Sequence, residues 1–357
     1  MFFLINNSFD EGSKEIFDKF LLTCKTIIKF SFVYIFLFII KNLYKINLHI
    51  NSIYLNNLKN KGGTKNINKS NRIKLALCTV GKKENLYVKE FIEYYFNLGI
   101  SHIFIYDDNN INDEKIADSI PGKYIQNISV YEAYKKNITH QSEAFSDCYK
   151  NNLVEFDWFI MVDMDEYLYI VDDTLENYLT NPVFEKCDFI KLNWALSTDN
   201  NQVYYNSSPL FEIFKPPYIK SKFIKSIIRG NISNLKYWVH SPIYSPERNI
   251  TCNCKGKKIN YKKLNFESLT PINVEKAFII HFRFKSTQEL INKNKRGFGT
   301  WLDNKTLLWT LKGHIKDYFD QNEITSEKLN YIEKELQTKL YSYRITYYFN
   351  KLFFYLL

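Results

Sequence analysis

The run Trp158-Phe159-Ile160-Met161-Val162, followed at once by Asp163-Met164-Asp165-Glu166, constrains this chain more than any other segment. Five apolar residues in succession describe a short strand buried on both faces, as inside a parallel sheet. Its abrupt end in three carboxylates puts charge at the carboxyl end of the sheet, where open α/β folds bind ligands.

The neighbouring segments agree with that placement. Ile73–Val80 reads as an opening buried strand that stops at Gly81. A helix is expected from about Glu84 to Leu98, because Val88, Phe91, Ile92 and Tyr95 recur at helical spacing and Gly99 stands ready to end it. His102–Tyr106 is a second strand running into Asp107-Asp108-Asn109-Asn110. A third strand over Ile125–Tyr131, a helix over Gln141–Leu153, and strands over Phe189–Trp194 and Phe278–Phe282 complete an alternating order that implies helices on both faces of a mostly parallel sheet. The part from Trp301 onward reads as helical, with Leu329, Ile332, Leu336 and Leu340 on one face and a cap near Ser326. The expected organisation is an appendage over 1–70, an α/β domain over 71–300 and a helical extension over 301–357.

Composition bears mainly on partners. The net charge of +10 would suit nucleic acid if it formed a patch. Residues 1–74, however, hold 12 of the 48 basic residues and 4 of the 38 acids, so they carry +8 and the rest only +2. No polyanion groove is therefore expected in the folded part. Six cysteines lack the density of a disulfide scaffold, and reduced, mostly buried thiols are expected. Cys252-Asn253-Cys254 has no second pair at zinc-site spacing. Asn-x-Ser/Thr triplets at Asn137, Asn206, Asn231 and Asn304 are expected by chance in so Asn-rich a chain.

The appendage points to a membrane surface. Phe20–Ile40 is long enough to span a bilayer but contains Lys25 and Lys29, which leaves open a spanning helix with snorkelling lysines, an interfacial helix and an ordinary docked helix. Lys41–Lys74 carries eight basic residues and no acid. Such a stretch is drawn to an anionic cytoplasmic leaflet, and the positive-inside rule then expects the following domain on the cytoplasmic side.

Two aspartates at i and i+2 can face one volume, where hard oxygen ligands suit Mg²⁺ or Mn²⁺. Side by side at a strand end they would repel each other without a cation. A divalent metal there would bridge two phosphates and neutralise a leaving diphosphate.

The segments LCTVGKKENLYVKEFIEYYFNLGISHIFIYDDNN, WFIMVDMDEYL and IIHFRFKSTQELINKNKRG resemble, in this order and over about residues 73–300, the family 2-like glycosyltransferases related to glycosyltransferase family 92. The resemblance implies a GT-A (Rossmann-like) fold, a nucleotide-sugar donor with UDP-sugar favoured, a divalent metal and inversion at the anomeric carbon. It implies that Asp163 and Asp165 form the metal and ribose motif, followed by the acid Glu166. It places Asp107 and Asp108 toward the base and ribose, with Thr79 and Glu84 bordering the nucleotide pocket. Lys82-Lys83-Glu84 departs from the family's Lys-Asn-Glu at its second position.

His281 stands where such enzymes often set a third metal ligand, a role that suits a neutral imidazole. His240 is a rival. Arg283, Lys285, Lys293 and Arg296 supply cations for the diphosphate. Inversion needs a base outside the metal cluster, and Glu212 is the candidate because it sits in the apolar run Leu210-Phe211-Glu212-Ile213-Phe214. The expected activity is sugar transfer to a glycan, lipid or protein hydroxyl. A sugar nucleotidyltransferase would usually show a Gly-rich loop after the first strand, where only Gly81 occurs, and a silent nucleotide-sugar-binding protein is the third reading.

Overall fold

The computed structural model describes residues 73–238, 240–244, 250–259, 271–296, 304–337 and Leu340. The expected membrane-associating helix and basic linker lie outside these residues. Among the described residues no helix is long and apolar enough to cross a membrane.

Strand β1 (Leu75–Gly81) passes through a 3-10 turn at Asn85–Tyr87 into helix α1 (Val88–Leu98), which Gly99 ends in the left-handed region at φ 107°. The helix thus begins four residues later than its spacing suggested. Next come β2 (His102–Asp107), β3 (Ile128–Glu132), α2 (Gln141–Asn152), β4 (Trp158–Met161) and β5 (Glu166–Ile170). They are followed by α3 (Leu175–Thr180), β6 (Phe189–Leu196), α4 (Leu210–Ile213) and β7 (Ile219–Arg229). The short strands β8 (Lys236–Tyr237), β9 (Pro242–Tyr244) and β10 (Thr251–Asn253) precede β11 (Ala277–His281), and α5 (Thr287–Lys295), α6 (Asn304–Gln321) and α7 (Ser326–Leu336) close the described chain.

The main sheet runs β3-β2-β1-β4-β7-β6-β11-β5, with β10 added beside β6. β3, β2, β1 and β4 are mutually parallel, as expected of a nucleotide-binding half. β7 is antiparallel to both β4 and β6, and β5 is antiparallel to β11. The period of two along β1 sorts its side chains onto two cores. Leu75 and Leu77 pack with Val88, Phe91, Ile92 and Tyr95 of α1, while Ala76 and Cys78 pack with Ala144, Phe145, Cys148 and Tyr149 of α2. Both faces of the sheet are therefore covered, and β4 between them is buried throughout. The second core depends on Phe159, whose ring meets those of Tyr149 at 4.8 Å and Phe156 at 5.7 Å. Emptying that position by Phe159→Ala would cost about 3–5 kcal/mol.

The expectation of reduced thiols is corrected at four cysteines. Cys78 of β1 is bonded to Cys148 of α2, and Cys187 to Cys252 of β10, with Cα separations of 6.3 and 5.9 Å. Sequence spacing could not show this, because each pair is brought together only by sheet packing. Cys254 is a free, buried thiol.

The C-terminal helices join the sheet through a buried polar network. Lys328, fully buried on α7, meets Asp199 at 2.7 Å and donates to Asn201 and to the carbonyl of Glu323. The Tyr318 hydroxyl of α6 donates to Asp199, and Asn322 accepts from the Asp199 amide. The α7 cap is Thr325, whose hydroxyl accepts from the Lys328 amide, one residue before the expected Ser326.

Candidate donor site

The turn after β4 is built to present Asp163 and Asp165. The Glu166 amide donates to the Asp163 carbonyl, and the Glu166 carboxylate in return accepts from the Asp163 amide at 2.8 Å. The chain thereby reverses directly into β5. Met164 is buried, and Gly81 at the end of β1 allows its close approach, since a Cβ there would stand 3.1 Å from the Met164 sulfur.

A cavity of about 180 Å³ opens beside this turn at the carboxyl ends of the parallel strands. Asp163, Asp165, Asp108 and Glu84 contribute acids to its wall, and Lys82, Lys293 and Arg296 contribute cations. His140 and Gln141, at the start of α2, also line it, and nothing in the sequence pointed to them. The Gln141 amide donates to an Asp163 oxygen. A second cavity of about 380 Å³ shares Glu84, Lys293 and Arg296 with the first.

Two lysines compensate the three acids of the turn. Lys225, from the middle of β7, is shut off from solvent and lies 3.0 Å from Asp163 Oδ1 and 3.4 Å from Glu166 Oε2. Lys293 of α5 lies 2.7 Å from Asp165 Oδ2. Burial works to raise the Asp165 carboxyl, but Lys293 and His281 outweigh it and hold it well below the usual range. Glu166 is pushed well above its usual value by burial, which Lys225 only partly offsets. Glu84 is held ionised by Lys285 at 3.2 Å and by Arg296, which together overcome its burial. Lys83, next to Glu84 in sequence, and Lys285, its ion partner, both have backbone in the left-handed region, at φ 53° and 54°. Such strain persists where the surrounding structure fixes a functional group.

The mutual repulsion expected of the two aspartates is thus relieved by lysines of the protein itself. Among the described residues no three His, Cys, Asp or Glu side chains converge as a metal cluster. Asp163 turns toward Lys225 and Gln141, away from a shared ligand set. Asp165 and His281 do come together, with Oδ1 and Nε2 3.4 Å apart. Burial keeps the imidazole in its neutral, ligating form despite the pull of Asp165. Its Nδ1 stands 3.9 Å from Glu166 Oε1, and neither atom has a hydrogen-bond partner. The carboxyl group that usually orients a metal-bound imidazole by a hydrogen bond thus stands near His281 without bonding to it. The Asp165–His281 pair therefore fits a divalent cation better than the Asp163–Asp165 pair does.

Other expected residues fall elsewhere. Asp107 is buried, and its two oxygens accept from the amides of Asn109 and Ile116, which folds the loop and leaves neither oxygen toward the cavity. Asp108 does line the cavity and pairs with Lys82 at 3.2 Å. Thr79 is fully buried, with its hydroxyl unpaired. Lys285 lines the second cavity. Arg283 lines the same cavity and pairs with Asp317 at 3.1 Å. His240 is separated from the acids by Trp194, whose ring meets His240 at 5.2 Å and His281 at 4.4 Å.

The assignment of Glu212 as a buried base is corrected. The apolar run around it forms one helical turn, α4, which buries Leu210 and Ile213 and leaves Glu212 exposed, outside the described cavities. Glu166 is likewise beneath the turn and supports it from behind.

Acids and cations thus line a cavity at the carboxyl end of a mostly parallel sheet, where open α/β folds bind ligands. The model of glycosyltransferase family 92 matches residues 73–340, and the chain belongs to that family. Among its relatives, a family 92 protein of Ricinus communis is 32% identical over 104 residues, which are 29% of this chain and 18% of that one. One of Arabidopsis thaliana is 30% identical over 95 residues, 27% of this chain and 16% of the relative. The chain thus matches less than a fifth of the length of these relatives. Solved structures with local likeness include a glycosyltransferase involved in glycosylation of the major capsid of PBCV-1, 11% identical over 44% of this chain and 60% of that one, with a TM-score of 0.22. Mannosyl-3-phosphoglycerate synthase from Rubrobacter xylanophilus is 14% identical over 44% and 53%, with a TM-score of 0.23.

Proposed function

We propose that the protein is a metal-dependent glycosyltransferase that moves a sugar from a nucleotide-sugar, with UDP-sugar favoured, to a glycan, lipid or protein hydroxyl with inversion. The observation that carries this reading is the lining of one cavity by the Asp163–Asp165 turn together with the cations Lys82, Lys293 and Arg296. A diphosphate placed there meets Lys293 and Arg296 as charge builds on the leaving group, and fixed charges in a partly enclosed site act without reorganising. Asp165 and the neutral His281 would hold Mn²⁺ or Mg²⁺, which would supply further charge neutralisation at the diphosphate. Lys225 orients Asp163, and Glu166 braces the turn by accepting from the Asp163 amide.

The first cavity is smaller than the roughly 300–1,000 Å³ of typical ligand sites, and the adjoining one extends it along Glu84, Lys293 and Arg296. Disulfides persist in oxidising compartments, so the Cys78–Cys148 and Cys187–Cys252 bonds favour a secretory-pathway or external location over the cytoplasmic face expected from the basic linker.

Thermal unfolding in the presence of UDP-, GDP- and CMP-sugars, with and without Mn²⁺, tests the donor. A ligand of the folded state raises the midpoint. The reading expects a UDP-sugar shift that grows with Mn²⁺, and absence of a shift with every nucleotide-sugar would contradict it.

A further inference from the structure

A third cavity, a shallow groove of about 480 Å³, lies along residues 201–207 and has no part in the donor site. Its lining combines the rings of Tyr204 and Tyr205 with the side chains of Gln202, Asn206 and Ser207, and its one charged lining residue is Glu327. Tyr204 is 54% exposed, and its ring meets that of Tyr331 edge to face at 5.5 Å. An aromatic face beside amides and hydroxyls matches the two surfaces of a sugar ring, one made of C–H groups and one of hydroxyls. The absence of a cation from the lining disfavours an anionic ligand.

The groove is mechanically tied to the donor cavity. The amides of Thr287 and Gln288, at the start of α5, donate to the carbonyls of Gln202 and Val203, and the Gln288 side chain accepts from the Tyr205 amide. The same helix carries Lys293, and Arg296 caps its far end. Eight residues separate Gln288 from Arg296, roughly 12 Å at the helical rise. The second cavity bridges this interval, since Tyr87 lines it and meets Tyr205 ring to ring at 6.3 Å.

We propose that the 201–207 groove is a saccharide subsite for a neutral oligosaccharide acceptor, holding a ring remote from the one that receives the sugar. The proposal rests on the glycosyltransferase reading and narrows its acceptor to a glycan of several units. Tyr204 supplies the stacking face, the neighbouring amides and hydroxyl bind the ring's rim, and α5 fixes the distance from this subsite to the transferring centre.

The test uses the full chain secreted to the bacterial periplasm, so that Asn206 stays unglycosylated, applied to an array of neutral mono- and oligosaccharides. The wild type is expected to be retained on a subset of oligosaccharides and on no monosaccharide. Tyr204→Ala should weaken that retention about tenfold, the equivalent of one aromatic contact, while Tyr204→Phe preserves it. The UDP-sugar thermal shift should be equal in all three proteins, which also shows that the variants fold. Retention unchanged in Tyr204→Ala, or no oligosaccharide retained by the wild type, would overturn the subsite. Loss of the UDP-sugar shift in the wild type with glycan retention intact would instead sink the glycosyltransferase reading.

Discussion

Lys225 Nζ lies 3.0 Å from Asp163 Oδ1, and the lysine emerges from the middle of a strand with no exposure to water. Burial alone would discharge this ammonium. Asp163 and Glu166 reverse that and raise its pKa above the ordinary lysine value. The first acid of the Asp-x-Asp turn is therefore held by a cation of the protein, as the second, Asp165, is held by Lys293.

Removing that cation should be costly. In Lys225→Met the side chain keeps most of its bulk but leaves Asp163 uncompensated, and the expected loss is about 3–5 kcal/mol of unfolding free energy by urea titration. Lys225→Arg should recover part of it. An unchanged urea midpoint in Lys225→Met would show that the pair contributes nothing to holding the turn.

The strands read from apolar runs, β1, β2, β4, β6 and β11, stand where expected because each is buried and short. β7 was illegible for the same reason that it matters. Lys220, Lys222 and Lys225 interrupt its hydrophobic pattern, and only the pairing of β7 between β4 and β6 places Lys225 under the acids. β5 was hidden because its first residue, Glu166, reads as part of a loop. β3 begins three residues late because Ile125, an apolar residue, is exposed in a 3-10 turn. Glu212 misled because its apolar run folds as one helical turn that buries Leu210 and Ile213 and turns Glu212 outward. The Asp165–His281 pair was legible as separate residues, while their contact needed the antiparallel registry that sets His281 opposite Glu166.

The Asp199–Lys328 pair anchors the C-terminal helices. Lys328→Met leaves Asp199 buried without its ion partner and should lose about 3–5 kcal/mol, measured by denaturant unfolding. Asp199→Asn combined with Lys328→Met should recover much of the loss, since no charge is then left unpaired. Equal destabilisation by the single and double variants would contradict this assignment.

The Cys78–Cys148 bond closes a loop over 70 residues of sequence. Loop-closure entropy gives it about 4 kcal/mol, so Cys78→Ser with Cys148→Ser should lower the unfolding midpoint. Alkylation of the denatured chain before and after reduction should reveal four additional reactive thiols from the two bonds. Full alkylation without reduction would contradict the pairing.

His314 gives stability an acid limb. Burial first, and then Arg283 and Lys293, pull its pKa from 6.5 down to about 4. The unfolded chain therefore takes up this proton before the folded one does, and falling pH favours unfolding between about 6.5 and about 4. Above 6.5 the group adds no pH dependence. His314→Gln should flatten that interval of the stability profile, and an unaltered slope would remove His314 as its source.

The most direct measurement is UDP-sugar turnover, hydrolysis included, by the wild type and Asp165→Asn with Mn²⁺ present. Donor handling through Asp165 predicts a loss of about 100-fold or more in rate for the variant, measured below its own unfolding midpoint. Full activity in Asp165→Asn would contradict the role given to the Asp165–His281 pair.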